Sequence, residues 1–130
     1  MTFPAYLQNA ARTFKAKGAS VIISSQTPNN PYEGGRFQYS PSRFVDLAKT
    51  AASRAGTVYV DHGRATANFF QSRSASTVNS YFPSDHTHTS PAGAKVVADA
   101  FVRGLLCGNS PLENSVKNAG RVEGNCQGLN

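Results

Sequence analysis

The sequence is short of long apolar runs and of nucleotide-binding motifs. No stretch approaches the ~18 consecutive apolar residues of a membrane-spanning helix. Residues 1–4 show neither the charged nor the apolar region of a signal peptide. The phosphate loop Gly-x-x-x-x-Gly-Lys and the dinucleotide motif Gly-x-Gly-x-x-Gly are both absent. We therefore expect no membrane association through a spanning helix and no nucleotide cofactor.

Acidic residues are few, and basic residues are dispersed. Seven Asp and Glu against thirteen Lys and Arg give a formal net charge of +6 over 130 residues. No two carboxylates pair convincingly, as the acid and base of a glycosidase would. Because the basic residues form no run, the sequence does not predict a nucleic-acid partner. The net charge would attract an acidic polysaccharide equally well.

A recognisable nucleophile is also lacking. The Gly-x-Ser-x-Gly elbow of many serine hydrolases does not occur, and neither does a Gly-Asp-Ser block. Serines are abundant, but none has the local context of a nucleophile.

Two cysteines, Cys107 and Cys126, flank a polar tail. They are either two free thiols or a disulfide that holds the tail to the last helix, and the sequence favours the disulfide. A disulfide would imply secretion, which the absent signal peptide does not support.

The most informative segment of the chain contains Asp85 and His88, separated by two residues and followed by Ser90-Pro91. A neutral imidazole is a natural general base near neutral pH. A carboxylate on the same turn would fix its tautomer and stabilise the imidazolium. Ser90 suits a helix N-cap and Pro91 the first helical position, so a rigid helix would anchor the turn. Asp85 and His88 are therefore candidate catalytic residues.

Two other interpretations of this segment remain open. Asp85 could only cap a turn, because Asp often accepts hydrogen bonds from its own backbone. His86 and His88 could instead bind a metal ion together with Asp61 and His62. Asp61 and His62 themselves are expected to hold loops in place rather than to act in catalysis.

Apolar periodicity predicts helices alternating with two short strands. The predicted helices cover residues 2–17, 40–55, 64–73 and 91–106, and the predicted strands cover 21–23 and 57–60. The expected inward faces are Phe3, Leu7, Ala10 and Phe14 in the first helix, Phe44, Leu47, Ala48 and Ala51 in the second, and Val97, Phe101 and Leu105 in the last. Residues 26–31 are interpreted as a turn rather than as the wall of a pocket.

This order of elements indicates an α/β fold with a parallel sheet. Two strands alone are marginal, and at least three helices need a sheet to pack on. We therefore predict that strands on the N-terminal side are missing from this chain. The polar residues that follow the two strands should share one rim, because ligands bind at the carboxyl ends of parallel strands. The turn of Asp85 and His88 should join that rim if its helix runs antiparallel to the strands.

Residues 81–94, with their Asp-x-x-His pattern, resemble the corresponding block of the GDSL/SGNH esterases. Residues 2–7, 24–31 and 59–62 extend this similarity to the fungal rhamnogalacturonan acetylesterases. The resemblance covers essentially the whole chain but only the C-terminal half of that family, and the paired cysteines are consistent with it.

The resemblance implies the C-terminal part of a flavodoxin-like parallel-sheet α/β/α sandwich, the SGNH hydrolase fold, with its N-terminal strands missing. Residues 1–106 would form the partial hydrolase domain and residues 107–130 a tail pinned by a Cys107–Cys126 disulfide. Asp85 and His88 match the family's triad aspartate and histidine.

The family's activity is deacetylation of rhamnogalacturonan in pectin by acyl transfer, outside the cell and without metal or organic cofactor. Its partner is therefore an acetylated pectic polysaccharide. Since the nucleophile and oxyanion-hole blocks are absent, we expect this chain to be inactive alone. A non-catalytic polysaccharide-binding remnant and a metal-dependent hydrolase are the alternatives.

Overall fold

The computed structural model describes residues 1–108 and 110–129, and within them helices alternate with two short strands. The elements are α1 (Phe3–Ala16), β1 (Ile22–Ser24), α2 (Arg43–Ala55), β2 (Val58–Val60), α3 (His62–Gln71), α4 (Ala75–Ser80) and α5 (Pro91–Cys107), then 3₁₀ helices Pro111–Ser115 and Ala119–Arg121. The predicted mixed α/β class is confirmed. Within the described ranges, no helix has both the length and the apolar character needed to cross a membrane.

The strands β1 and β2 pair in parallel, as predicted. Ile22 pairs with Val58 and Ser24 with Val60. The ladder continues for one residue, because the amide of Ser25 donates to the carbonyl of Val60 at 3.0 Å. Since the strands are parallel, Ser25 and Asp61 leave the sheet at the same edge.

Helices cover the strands from two sides. Tyr59 packs into a cluster formed by α1, α2 and β1, with Ala11, Ile23 and Ala52 at its centre. Val60 lies beside Gly104 of α5 instead: a Cβ on Gly104 would lie 2.9 Å from Val60 Cγ1. Because successive strand residues point to opposite faces, α2 and α5 lie on opposite faces of the sheet.

The predicted inward faces of α1 and α2 are right only in part: Leu7 packs against the core and Ala48 and Ala51 are buried, as expected. In α1 the buried residue is Ala11, whereas Phe3 and Phe14 are 41% and 56% exposed. The buried row of α2 consists of Val45, Ala48, Ala51, Ala52 and Ala55, and Phe44 is exposed. α1 and α2 pack on each other. Small alanine side chains allow two helices to approach closely, so the alanine rows face inward and the larger aromatic residues do not.

The predicted face of α5 and the predicted start of α2 are also partly wrong. Leu105 is buried as expected, but Val97 and Phe101 are only half-buried, and the buried row is Gly93, Val96, Ala100 and Gly104. The glycines bring α5 close to its neighbours, which shifts the buried row by one residue. The second helix begins at Arg43, because the hydroxyl of Ser42 accepts a hydrogen bond from the amide of Phe44 at 3.3 Å.

Helix α4 lies in a segment that was predicted to be a loop. Its residues are mostly Ser, Thr and Asn, which favour helix ends over interiors. The hydroxyl of Ser74 caps it by accepting from the amide of Thr77 at 3.2 Å. Val78 is fully buried in a second cluster with Phe69, Phe70, Phe82 and Val96. Tertiary packing therefore stabilises a helix that intrinsic propensity does not favour.

The tail is attached to the domain by a disulfide and by side-chain contacts. Cys107 and Cys126 are bonded, with 5.4 Å between their Cα atoms. Arg73 pairs with the carboxylate of Glu123. Asn68 Nδ2 donates to the carbonyl of Gln127 at 2.8 Å. The disulfide rather than two free thiols is therefore present, and it joins the end of α5 to a tail that lies against α3.

Candidate active site

Asp85 uses its two carboxylate oxygens for two different tasks. Oδ1 accepts hydrogen bonds from the amides of Thr87 and His88, each at 2.7 Å. Oδ2 faces the Nδ1 atom of His88, also at 2.7 Å. The same side chain therefore caps the turn and contacts the imidazole, so the two interpretations of Asp85 do not exclude each other.

The surrounding hydrogen bonds keep Asp85 ionised. The amide of His88, its ring nitrogen and the amide of Thr87 lower the pKa of Asp85 to about 2. An ionised carboxylate only accepts hydrogen bonds, so Nδ1 of His88 carries the proton and Nε2 of the neutral ring carries the lone pair. The imidazole is 82% exposed. The contact with Asp85 therefore uses Nδ1 and leaves Nε2, across the ring, without a part in that bond.

The low pKa of Asp85 also links the turn to acid stability. Its folded pKa lies below the ordinary value of 3.8. The unfolded chain therefore binds the proton more readily, and stability from this group is lost as pH falls from about 4 to about 2.

The start of α5 fixes the turn from its C-terminal side. The hydroxyl of Ser90 accepts from the amide of Gly93 at 3.2 Å, and the amide of Ser90 donates to the carbonyl of Tyr81 at 2.7 Å. Pro91 is the first helical residue. A Cβ on Gly93 would lie 2.8 Å from the Cβ of Tyr81 and 2.9 Å from that of Thr89. The helix thus begins in direct contact with the segment that precedes the turn.

We predict that Gly93→Ala destabilises the protein despite the better helix propensity of alanine. The new methyl group would meet two Cβ atoms that cannot rotate away. Overpacking of this kind costs ~1–3 kcal/mol, more than the up to ~1 kcal/mol that alanine gains in a helix. Urea unfolding should show a lower midpoint. Gly120→Ala is the matched control, because a Cβ there has no neighbour within 4 Å among the described residues. Equal midpoints for the two variants would refute the prediction.

A loop that follows β1 holds the turn from its other side. The amide of Asn30 donates to the carbonyl of His86 at 2.8 Å. The hydroxyl of Thr87 donates to Asn29 Oδ1 at 3.1 Å. His86 Nδ1 lies 3.1 Å from the carboxylate of Glu33. The turn therefore joins the carboxyl-end rim, as predicted for an antiparallel α5.

The sequence did not single out Asn29 or Asn30. The turn predicted over residues 26–31 forms only at the end of that range: the amide of Glu33 donates to the carbonyl of Asn30 at 3.5 Å, and the amide of Gly35 donates to the carbonyl of Tyr32 at 2.9 Å. Residues 26–31 also line a cleft, which the sequence did not favour. The available signal was their position directly after a parallel strand, where loops form binding sites.

Asp61 holds the rim together, as the sequence predicted. The buried hydroxyl of Ser25 donates to Asp61 Oδ1 at 3.2 Å and accepts from the amide of Gly63 at 2.8 Å. Asp61 Oδ1 also accepts from the amide of Arg64 at 2.9 Å, which caps α3. These bonds join the end of β1 to the start of α3.

The three histidines have separate partners. His62 Nε2 lies 2.7 Å from the carbonyl of Val97 and donates to it, since a carbonyl only accepts, and burial lowers the pKa of His62. His86 pairs with Glu33 and His88 with Asp85. In the part of the chain that the structure describes, no three His, Cys, Asp or Glu side chains converge on a possible metal position. The predicted set of Asp61, His62, His86 and His88 is therefore not assembled.

Two comparisons with known proteins show which sequences this chain resembles. Residues 1–101 match the family of GDSL-like lipases and acylhydrolases. Over 126 residues the chain is 54% identical to a rhamnogalacturonan acetylesterase of Emericella nidulans. That alignment covers 97% of this chain and 51% of the relative, so the chain spans about half the length of the protein it matches. The resemblance inferred from the sequence is confirmed, and the chain belongs to the GDSL-like lipase/acylhydrolase family.

Proposed function

We propose that this chain supplies the acid–base half of a carbohydrate acetylesterase that removes acetyl groups from rhamnogalacturonan. The observation that carries the proposal is the 2.7 Å contact between Asp85 Oδ2 and His88 Nδ1, which leaves Nε2 free to accept a proton. The 54% identity to a rhamnogalacturonan acetylesterase supports the substrate class. The net charge of +6 suits a polymer that bears galacturonate.

In this mechanism His88 acts first as base and then as acid. Nε2 takes the proton of a serine hydroxyl as that serine attacks the acetyl carbonyl, and returns it to the departing sugar oxygen. A water molecule then frees acetate by the same exchange of protons. Asp85 stays ionised throughout and stabilises the imidazolium. Backbone amides of an oxyanion hole would hold the developing negative charge.

The serine and the oxyanion-hole blocks must come from residues other than these 130. Neither a Gly-Asp-Ser nor a Gly-x-Asn-Asp sequence occurs among them. We propose that the two strands are the C-terminal part of a flavodoxin-like sandwich, because helices already lie on both of their faces. Further strands would carry the nucleophile to the rim where His88 lies. The chain by itself is then inactive.

The proposed site of action is outside the cell. The Cys107–Cys126 disulfide supports this, because disulfides persist in oxidising compartments.

A chimera tests the proposed function. The chain would replace the matching 126 residues of the Emericella relative, so that the remaining half of that enzyme supplies the other strands. We expect the chimera to release acetate from acetylated rhamnogalacturonan, and the 130-residue chain alone to release none. Acetate release by the chain alone would refute its proposed inactivity. A folded chimera that binds the polysaccharide without deacetylating it would favour the non-catalytic binding remnant.

A further inference from the structure

We infer that the cleft beside the Asp85–His88 turn is a subsite for an uncharged sugar residue. The cleft is lined by residues 26–31 and 38–42 together with Val45. Its volume is about 260 Å³. This is slightly below the roughly 300–1,000 Å³ of pockets for drug-sized ligands, and suits a single sugar unit. The inference rests on the proposed function, since it identifies which part of the polysaccharide lies next to the base.

The lining has the chemistry of a site for hydroxyl groups. Amide side chains come from Gln26, Asn29, Asn30 and Gln38, and each amide can both donate and accept hydrogen bonds. A sugar hydroxyl also does both, so the two sets match. Three prolines (Pro28, Pro31 and Pro41) provide apolar surface for the C–H face of a sugar ring.

The cleft surface carries no charged side chain among the described residues. This contrasts with the thirteen Lys and Arg elsewhere in the chain. Arg64 stacks on the ring of Tyr39 at 4.8 Å, but does not itself line the cleft. A carboxylate that gave up water in the cleft would therefore gain no charged partner from the lining, which is unfavourable. A neutral sugar such as rhamnose suits the lining better than galacturonate does.

The two walls of the cleft are bonded to each other, while three polar side chains of the lining stay available to a ligand. Gln26 Nε2 donates to the hydroxyl of Ser42 at 2.9 Å, which ties the two walls together. The amide of Gln38 donates to the carbonyl of Pro31 at 2.8 Å. By contrast, the side chains of Thr27, Gln38 and Ser40 bond to no residue in the described ranges. A sugar could bond to them without breaking a protein contact.

The cleft adjoins the turn that carries His88. Asn29 and Asn30, which line it, bond to Thr87 and His86, the two residues before His88. A rhamnose in the cleft would therefore have one of its two neighbouring galacturonates close to the turn that carries His88. The subsite would thus determine which galacturonate of the polysaccharide lies next to His88 for deacetylation.

Binding of two monosaccharides to the 130-residue chain tests the inference. The chain would be titrated with the methyl glycosides of rhamnose and of galacturonic acid, and followed by amide NMR spectra. We expect the rhamnoside to shift signals of residues 26–31 and 38–42, and to bind at least about tenfold more tightly than the galacturonide. Gln38→Ala should weaken rhamnoside binding by about five- to tenfold. Gln71→Ala, which removes an exposed amide outside the cleft, should leave it unchanged.

Three results would overturn the subsite: galacturonide binding as tight as that of the rhamnoside, equal affinities for the Gln38→Ala and Gln71→Ala variants, or no binding of either sugar. A different pair of results is expected if the subsite exists but the proposed acetylesterase function is wrong. In that case the rhamnoside would bind in a Gln38-dependent way, while the chimera would release no acetate.

Discussion

Replacing His88 with alanine in the chimera with the Emericella relative should reduce acetate release by at least about 10³-fold. Because Nδ1 of His88 contacts Asp85, Nε2 is the ring nitrogen left to act as the base. Its loss leaves the serine without a base. Since the imidazole is 82% exposed, the substitution removes little packing, and the thermal unfolding midpoint should stay close to that of the parent chimera. The rate is measured as acetate released from acetylated rhamnogalacturonan.

The Asp85→Asn variant of the chimera tests whether the tautomer of His88 matters, because it keeps the imidazole and the turn. The amide oxygen of asparagine can still accept from the amides of Thr87 and His88, so the turn is kept. Its NH₂ group, however, would donate to Nδ1 of His88, and the proton would then move to Nε2. The ring would be held in the wrong tautomer, for which a loss of roughly 10⁴-fold is expected.

Glu33→Gln is the matched control for both substitutions. Glu33 forms a similar exposed pair with His86, at 3.1 Å, two residues from His88. Surface pairs of this kind contribute ~0–1 kcal/mol, so the rate should change by less than about tenfold. Comparable losses in the Glu33→Gln and His88→Ala variants would show that the turn is merely structural.

The double substitution of Cys107 and Cys126 by serine should lower the free energy of unfolding by about 3 kcal/mol. The disulfide closes a loop over a sequence separation of 19 residues. In the chain-entropy model, removing such a constraint frees the unfolded chain by that amount. Urea unfolding of the two proteins under oxidising conditions measures the difference.

Reducing agent provides the control for this prediction. It should destabilise the parent chain by the same amount, and should have no effect on the double variant. If the double variant unfolds at the parent's urea concentration, the tail contacts alone hold the tail. Those contacts are the Arg73–Glu123 pair and the bond from Asn68 to Gln127.

The features that could be predicted from the sequence depend on neighbouring residues. The order of helices and strands follows from apolar periodicity, and the Asp85–His88 contact follows from a spacing of three. The contacts of Asn29 could not be predicted in this way, because its partner Thr87 is 58 residues further along the chain. Nothing in the local sequence indicates that a loop after β1 will meet a turn before α5.

The two ends of the predicted inward face of α1 are wrong for a similar reason, although Leu7 at its middle does pack against the core. Phe3 and Phe14 lie on an apolar stripe, and periodicity alone predicts that every residue of such a stripe is buried. The position of α1 is set instead by the alanine row of α2, which is information held by another element. Helix α4 shows the opposite case, where a buried Val78 stabilises a segment whose own residues favour no helix.

The short span of the Asp85–His88 contact has a consequence for how the site forms and persists. A contact between residues three apart costs little loop-closure entropy. Loops of about ten residues close within roughly 10–100 ns, so the acid–base pair can form long before the strands and helices assemble. The pair and the helix start that anchors it form one contiguous segment, and recombination or insertion elsewhere in the gene would move them as a unit.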